Sequence, residues 1–248
     1  MTVVFVHGNP ETAAIWGPLV SVLGRDDVVL LSPPGFGAPL PDDFGATFVD
    51  YRDWLESELE SIEGPIDLVG HDWGGGHVVN AMMHRPELVR SWVSDVVGLF
   101  DPEYVWHDLA QVWQTPEAGE QAVESMLGGD LAVRTELMVS LGIPADIAAA
   151  IAEHQNADMG RAILAVYRSA VQPAMAEAGR NLESASARPG LALLPTDDPY
   201  IGANDNRRRA ADRAGARTEV LDGLGHWWMV EDPQRGADAL TRFWAGLD

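Results

Sequence analysis

The stretch Leu68-Val69-Gly70-His71-Asp72-Trp73-Gly74-Gly75 decides the fold of this chain of 248 residues. Its first residues belong to a short apolar run that is typical of a buried strand. The glycines that follow have no Cβ atoms, which allows a strand to turn sharply into a helix. Beyond them, apolar side chains recur at helical spacing: Val78, Val79, Met82 and Met83. The pattern predicts a strand-turn-helix elbow that lifts Asp72 out of the sheet into a cleft.

Two interpretations of Asp72 are compatible with this stretch. In the first, Asp72 is a nucleophile whose ionised form is favoured by the backbone N–H groups of the helix N-terminus. In the second, it only caps the helix, as aspartate commonly does before a helix start. The rest of the chain favours the first interpretation, because it supplies the other parts of a catalytic site in a consistent order.

Length and composition indicate one large α/β domain with an insertion, since the sequence has no change of composition along its length. The absence of cysteine excludes disulfide bonds, thiolate metal ligands and a cysteine nucleophile. The formal charge is −22 and the chain has no lysine, which argues against nucleic acid and anionic membranes as partners. We interpret the only basic run, Arg207-Arg208-Arg209, as a solvated helix face.

The N-terminal residues predict a cytoplasmic protein. Met1 is followed directly by a strand-like run at residues 3–6, without the charged, apolar and cleavage regions of a signal peptide. No apolar stretch approaches the roughly 20 residues that a membrane span needs. We therefore expect a cytoplasmic enzyme without a membrane partner, either a monomer or a homodimer.

Strand-like and helical segments alternate through most of the sequence, which predicts a mostly parallel sheet with helices on both faces. One helix has its apolar residues on a single face: Phe48, Tyr51, Leu55, Leu59 and Ile62. Six segments have the apolar character of strands: residues 3–6, 28–31, 66–69, 91–97, 191–194 and 218–221.

Between residues 100 and 188 the pattern changes to successive helices rich in alanine, glutamate and methionine. We interpret this segment as a helical cap inserted into a core domain formed by residues 1–99 and 189–248. A cap of this kind closes over the carboxyl ends of the strands, where open α/β sheets bind ligands, and it excludes water.

Two further sites follow the elbow in the chain. Asp198 comes shortly after the strand predicted at 191–194, and its neighbour Asp197 is an alternative for the same role. His226 lies in the glycine-flanked loop Gly223-Leu224-Gly225-His226. Taken singly, such an aspartate is often a turn residue and such a histidine a core residue. The order nucleophile, acid, histidine is, however, the order of an α/β-hydrolase triad.

The chain resembles the aspartate-nucleophile branch of the α/β-hydrolase fold, which contains haloalkane dehalogenases, epoxide hydrolases and haloacetate dehalogenases. The family usually has a hairpin before the strand that leads to His7, and this chain starts at that strand, so we expect six strands. Ser32 also stands where aspartate is more common. The resemblance covers nearly the whole chain through five motifs: His7-Gly8-Asn9-Pro10, Gly35-Phe36-Gly37, Gly70-His71-Asp72-Trp73-Gly74, Asp198-Pro199 and Gly225-His226.

The resemblance implies a two-step reaction at saturated carbon. Asp72, already ionised at neutral pH, displaces a leaving group and becomes an alkyl ester. Water then attacks the carbonyl carbon of Asp72, deprotonated by His226 while Asp198 fixes the imidazole tautomer. The backbone N–H groups of Asn9 and Trp73 stabilise the oxyanion. The expected partners are a small apolar organic substrate and water, and no metal or cofactor is needed.

The side chains of Asn9 and Trp73 bear on the leaving group. A departing halide needs N–H donors in a dry pocket, and these two residues match the halide-binding pair of haloalkane dehalogenases. Asn9 carries the argument, because many epoxide hydrolases share the tryptophan but usually have an aromatic residue at the position of Asn9. The other interpretation of Asn9 is a turn residue before proline. We therefore expect a haloalkane dehalogenase-like enzyme, with an epoxide hydrolase that forms a vicinal diol as the alternative.

The epoxide alternative requires proton donors in the cap, because an opened epoxide leaves an alkoxide. Tyr167 resembles the second member of a tyrosine pair that epoxide hydrolases use, and His107 and Tyr104 lie near the position of the first. These side chains are equally suited to contact a halide, as similar ones do in haloacetate dehalogenases, or to pack the cap.

Three other functions are less favoured by the sequence. A haloacetate substrate requires arginines shortly after the nucleophile, and none follows Asp72 before Arg85. A ligand-binding protein on a hydrolase scaffold is a remoter hypothesis, because the triad is intact. An esterase of the serine type lacks its nucleophile, since no serine occupies the elbow.

Overall fold

The computed structural model describes residues 1–247, and the centre of the described chain is a six-stranded parallel sheet. Its spatial order is β2-β1-β3-β4-β5-β6. The prediction of six strands is confirmed, although β4 ends three residues before the end of its apolar run. The strands are β1 (Thr2–Val6), β2 (Val28–Leu31), β3 (Ile66–Gly70), β4 (Ser91–Ser94), β5 (Gly190–Pro195) and β6 (Ala216–Leu221).

All neighbouring strands are parallel, so their carboxyl ends meet at one edge of the sheet. The register pairs Val6 with Gly70 and Gly70 with Ser94, and the chain therefore leaves β1, β3 and β4 side by side. Pro195 pairs with Leu221 in the same way at the ends of β5 and β6. The segments that follow these five strands carry the residues of the candidate site.

Helices cover both faces of the sheet. The Thr47 side chain and Asp50 form a capping box at the start of α2, and Pro233 occupies the first position of α12, where its missing N–H costs no hydrogen bond. Within residues 1–247, no helix is both long and apolar enough to span a membrane. The helices are α1 (Gly17–Leu23), α2 (Phe48–Glu60), α3 (Trp73–His84), α4 (Asp108–Gln114), α5 (Ala118–Leu127), α6 (Leu131–Ser140), α7 (Ala145–Ala152), α8 (Ala157–Ser169), α9 (Ala174–Ala178), α10 (Asn204–Arg213), α11 (Trp228–Glu231) and α12 (Pro233–Ala245).

The segment that we interpret as a cap, residues 100–188, contains α4–α9 and ends in a 3-10 helix, Gly179–Ala187. This last helix packs against the sheet side of the molecule. The indole of Trp92 donates to the carbonyl oxygen of Ala185 at 3.2 Å, and a Cβ on Gly179 would lie 2.2 Å from the carbonyl oxygen of Phe100. The insertion is thus anchored just before the chain enters β5.

The sheet separates two apolar cores, because successive side chains of a strand point to opposite faces. Val4 and Val6 of β1 belong to one core together with residues of α2 and α3. Val3 and Phe5 belong to the other core together with residues of α1 and α12. All four β1 side chains are fully buried, which explains why this strand is an uninterrupted apolar run.

The arginine run on α10 is less exposed than predicted. Arg208 is exposed, but Arg209 forms an ion pair at 2.7 Å with the buried carboxylate of Asp101, and Arg207 is only 2% exposed. The interpretation as a solvated helix face is therefore wrong for Arg207. The reason is that α10 packs on the 3-10 turn Val97–Phe100, where Gly98 leaves room for the arginine: a Cβ there would lie 3.0 Å from its Cγ.

Candidate active site

Asp72 occupies the apex of the tight turn between β3 and α3. Its backbone has φ 49° and ψ −129°, a conformation that costs a non-glycine residue free energy and that clusters at functional sites. A Cβ on Gly74 would lie 2.2 Å from the carbonyl oxygen of Val6, and one on Gly70 would lie 2.5 Å from that of Gly74. Close backbone contact therefore requires these glycines, and it holds Asp72 at the carboxyl edge of the sheet.

The loop after β1 lies directly against the carboxylate of Asp72. The backbone N–H of Asn9 donates to Oδ1 at 3.0 Å, and a Cβ on Gly8 would lie 2.2 Å from the same oxygen. Burial raises the pKa of Asp72, and the lowering effects of His226, His71 and the Asn9 N–H do not fully offset it. The ionised carboxylate is therefore a poorly solvated anion, which favours its reaction as a nucleophile.

His226 and Asp198 form a hydrogen-bonded pair at the same edge of the sheet. The imidazole Nδ1 lies 2.7 Å from Oδ2 of Asp198, and Nε2 lies 3.8 Å from Oδ2 of Asp72. Oδ1 of Asp198 accepts the backbone N–H of Tyr200 at 2.8 Å. Because the carboxylate accepts Nδ1–H, the basic nitrogen that faces Asp72 is Nε2. Asp197 is exposed, so the structure brings Asp198 and not its neighbour to the histidine.

The pKa of His226 results from opposing effects. Burial lowers it, but the charge and the hydrogen bond of Asp198 raise it further, and the carboxylate of Asp72 also raises it. The charge of His71 lowers the pKa of His226. The balance raises the pKa of His226 above the ordinary value for histidine, so the protonated form is favoured more than in a free imidazole.

A second buried histidine lies beside His226. His71 places Nδ1 2.5 Å from Oδ2 of Asp95 and Nε2 3.2 Å from Oε1 of Glu11, and its ring centroid is 4.6 Å from that of His226. Burial lowers the pKa of His71, but the two carboxylates raise it well above the ordinary value. Burial raises the pKa of Glu11 and Asp95, and His71 more than offsets this. These residues form a buried charged triad, Glu11-His71-Asp95.

The buried charged triad links several parts of the site. The indole of Trp228 donates to Oδ2 of Asp95 at 2.8 Å, and the indole of Trp227 donates to Oε1 of Glu11. Asp95 also accepts the backbone N–H of Asp72 at 3.0 Å. Sequence reasoning missed this triad. The strand predicted at 91–97 contained Asp95, and it concealed that this aspartate directly follows β4.

One donor atom from each of Glu11, His71 and His226 lies within 4.8 Å of the others, a spacing that a metal ion can bridge. Both nitrogens of His71 already face carboxylates, and Nδ1 of His226 faces Asp198. A protonated imidazole cannot ligate a metal. The arrangement therefore fits a chain of hydrogen bonds better than a metal centre.

The candidate residues open into a cavity of about 430 Å³ between the sheet edge and helices α4, α5, α6 and α8. Asn9, Asp72 and His226 line it on the side of the sheet. Cavities of this size and character hold small organic molecules. The opposite walls are mainly apolar: Leu109, Trp113, Ala122, Met126, Leu137 and Leu141.

Asn9 and Trp73 both lie beside the carboxylate of Asp72. Asn9 is 5% exposed, and within residues 1–247 neither polar atom of its side chain meets hydrogen-bond geometry, although the side chain faces the Tyr167 hydroxyl. Trp73 stacks on Trp106 at 5.7 Å and meets the edge of Tyr167 at 5.3 Å. Trp73 lines a smaller pocket that also reaches Asp72. The two N–H-bearing side chains thus flank the candidate nucleophile.

The three cap candidates differ in what their polar groups contact. Burial and Asp72 raise the pKa of Tyr167 well above its ordinary value, and its hydroxyl faces Trp73 and Asn9, which lower it. Burial lowers the pKa of His107 to about 4, and its Nδ1 accepts the backbone N–H of Ala110, which leaves Nε2–H as a neutral donor. Tyr104 donates to the carbonyl oxygen of Tyr200 at 3.3 Å and lines only the smaller pocket.

The comparisons with known proteins agree with this architecture. Residues 3–239 match the model of the alpha/beta hydrolase family. The chain belongs to that family.

Among curated proteins, the chain is similar to a haloalkane dehalogenase of Mesorhizobium japonicum, with 26% identity over 165 residues. The match covers 62% of this chain and 50% of that protein, so the chain spans about half the length of this relative.

Two solved structures show the same fold. The haloalkane dehalogenase DbeA from Bradyrhizobium elkani is 19% identical with a TM-score of 0.73, over 99% of this chain and 90% of that one. E-2-(acetamidomethylene)succinate hydrolase is 20% identical with a TM-score of 0.70, over 98% of this chain and 90% of that one. These likenesses establish the fold, and the chemistry depends on the residues of the site.

Proposed function

We propose that this protein is a hydrolase that attacks saturated carbon through a covalent ester on Asp72. In the first step an oxygen of the carboxylate bonds to the substrate carbon, and the leaving group departs with the bonding electrons. The strained position of Asp72, the N–H of Asn9 on its Oδ1 and the placement of His226 Nε2 at 3.8 Å from its other oxygen support this assignment.

In the second step, water attacks the carbonyl carbon of the Asp72 ester while His226 accepts its proton at Nε2. Collapse of the oxyanion releases the alcohol and restores the carboxylate. Ester formation removes the negative charge of Asp72, which in the resting enzyme raises the pKa of His226. The imidazole therefore loses its proton more readily in the ester, at the step in which it acts as a base.

The leaving group that we propose is a halide, and Asn9 is the observation that carries this choice. A buried amide without hydrogen bonds costs about 1–3 kcal/mol, a cost that a binding site offsets when its ligand arrives. The amide of Asn9 and the indole of Trp73 are N–H donors beside the nucleophile, and a halide ion accepts hydrogen bonds from both. The similarity to a curated haloalkane dehalogenase supports the same choice.

Epoxide opening is the second candidate function, favoured by the contacts of Tyr167 and His107. Both side chains are neutral donors that line the cavity together with Asp72. Such donors can protonate the alkoxide that forms when an epoxide ring opens. A dehalogenase does not need this proton, because a halide leaves as a stable anion.

We also propose that residues 100–188 act as a cap over the core formed by residues 1–99 and 189–248. Helices α4, α5, α6 and α8 contribute most of the apolar wall of the cavity, which supports this division. The substrate class that we infer is a small apolar organic molecule. A cytoplasmic monomer or homodimer remains the proposed state of the protein.

A parallel substrate screen tests the proposed function. Bromoalkanes are assayed by bromide release, and alkyl and aryl epoxides by diol formation, with Asp72→Ala as the control for background hydrolysis. We expect bromide release that is lost in the control. Diol formation without bromide release would replace the dehalogenase by the epoxide hydrolase, and activity that survives in Asp72→Ala would contradict the mechanism.

A further inference from the structure

Arg207 is an unusual side chain for an interior position. It is 2% exposed, and its Nη1 donates to the carbonyl oxygen of Pro195 at 2.9 Å and to Oδ1 of Asn204 at 3.0 Å. Its Nε and Nη2 are buried and have no hydrogen-bond partner, and among residues 1–247 no carboxylate lies within 4.0 Å of it. A buried cation with so few partners is costly, so the fold retains it against a penalty.

The place of Arg207 in the fold gives it access to two carboxylate-bearing turns. Pro195, which accepts its hydrogen bond, ends β5 three residues before Asp198. On the other side, its Cγ lies against Gly98, three residues after Asp95 in the turn that follows β4. The Arg207 side chain therefore lies between two turns, the one that carries Asp198 and the one that carries Asp95.

The charge balance of the site explains the value of a cation there. Four carboxylates are gathered at this edge of the sheet: Glu11, Asp72, Asp95 and Asp198. Two histidines accompany them, but His226 must be neutral to accept a proton from water. A guanidinium stays charged throughout the physiological range, so it offsets these carboxylates when the histidine does not.

We propose that Arg207 is a positioning residue for the Asp198–His226 pair: its hydrogen bond to Pro195 fixes the turn that carries Asp198, and its charge offsets the charges of Asp198 and Asp95. The inference rests on the proposed function in treating Asp198 and His226 as the catalytic pair. The charged groups that act on Arg207 are Asp198, Asp95 and, on its own helix, Arg208. Burial and Arg208 lower its pKa, while the two aspartates raise it.

A purely structural role for Arg207 makes a different prediction. If the side chain only anchored α10, its replacement by methionine would lower stability and leave the titration of the site unchanged. If its charge serves the site, methionine of similar length should change stability little, because removal of a buried charge with two unpaired nitrogens offsets the loss of the hydrogen bonds to Pro195 and Asn204. The titration of His226 should then change, because the cation that offsets the charge of Asp198, the aspartate paired with His226, is gone.

The experiment compares Arg207→Met, Arg207→Lys and the exposed control Arg208→Met. The pKa of His226 is measured in the resting protein by NMR titration of its imidazole, with the melting temperature recorded in parallel. The titratable groups that act on or contact His226 share one property, that all are unchanged in these variants: Asp198, Asp72, His71, Glu11, Asp95, His107 and Tyr200. This measurement requires no substrate, so it is independent of whether the leaving group is a halide.

We expect Arg207→Met to raise the His226 midpoint by about half a pH unit or more, with a wild-type melting temperature. Arg207→Lys should restore most of the midpoint, and Arg208→Met should leave it unchanged. An unchanged or lowered His226 midpoint in Arg207→Met would overturn the proposal. So would an Arg207→Met with a lowered melting temperature, if Arg207→Lys restored that melting temperature but not the His226 midpoint. Should Arg207→Met fail to fold, an Arg207→Lys midpoint displaced from wild type by about half a pH unit or more would also overturn it.

In active enzyme, the acid side of the pH profile for ester hydrolysis should move upward with the same variant. Absence of turnover in the wild type on every substrate would contradict the proposed function and leave the NMR result standing.

Discussion

Replacement of Asn9 by alanine separates the contribution of this residue to catalysis from its contribution to stability. In the folded protein the side chain is 5% exposed and both of its polar atoms lack hydrogen bonds within the described residues. Apart from its contact with the Tyr167 hydroxyl, truncation removes no polar interaction of this side chain. It also removes a buried polar group whose desolvation costs about 1–3 kcal/mol, which offsets the loss of packing. We expect the free energy of unfolding to change by less than about 1 kcal/mol.

The effect of Asn9→Ala on the catalytic rate should, in contrast, be large. Loss of one preorganised donor beside a developing negative charge typically costs about 2.7–4 kcal/mol, or roughly 100-fold to 1000-fold in rate. If the Asn9 amide binds the departing halide, Asn9→Ala should reduce bromide release by this factor and weaken product inhibition by bromide. Diol formation from epoxides, if the enzyme supports it, should be nearly unaffected.

The matched control is Asn80→Ala, which removes a buried asparagine that does have a partner. Asn80 is 6% exposed and its Nδ2 donates to the carbonyl oxygen of Phe48 at 3.3 Å. We expect this variant to lose about 1–2 kcal/mol in urea denaturation and less than about twofold in turnover. The reasoning is refuted if Asn9→Ala retains most of the bromide release, or if it destabilises the fold more than Asn80→Ala does.

Three further predictions follow from the geometry of the site. Gly8→Ala places a methyl group 2.2 Å from Oδ1 of Asp72 and must displace the carboxylate, so turnover should fall at least about 100-fold while the protein remains folded by circular dichroism; near-normal kcat would show that Asp72 is not held by this loop. Asp95→Asn leaves His71 with one carboxylate and should cost about 3–5 kcal/mol in chemical denaturation, and a neutral effect would contradict the buried charged triad. The third concerns pH. Because His226 must be neutral to act as the base, the rate of ester hydrolysis should fall as the pH is lowered. Asp72 raises the pKa of His226 only while it is ionised, so the midpoint of the hydrolysis profile should lie below the NMR midpoint of His226 in the resting enzyme. Equal or reversed midpoints would exclude this role of Asp72.

The sequence predicted the sheet well because its four inner strands, β1, β3, β4 and β5, are buried on both faces. Residues 3–6 of β1 form a continuous apolar run, and β3 interrupts its apolar run at Asp67, whose buried carboxylate pairs with Arg90. The elbow was equally accessible, since the glycines around Asp72 are dictated by local backbone contact. The contact between Asp198 and His226 depends on chain order and strand ends, both of which can be read along the sequence.

The buried charged triad was not accessible in the same way. The apolar character of residues 91–97 concealed the end of β4 at Ser94, so Asp95 was assigned to the strand interior. Glu11 had no signal of its own, because its contact with His71 joins residues 60 positions apart. Arg207 was misinterpreted for a related reason: an arginine run is normally solvated, and only the packing of α10 on the turn after β4 reveals that one member is buried.

The central claim is a covalent ester on Asp72, and intact-mass spectrometry of His226→Gln tests it most directly. Without its base the variant should form the ester and fail to hydrolyse it. With a bromoalkane that the wild type converts, the protein should gain the mass of the alkyl group less one proton, and peptide mapping should locate the gain to Asp72. An epoxide substrate would instead add its whole mass. If wild type turns over a substrate and His226→Gln accumulates no adduct with it, the two-step mechanism is contradicted.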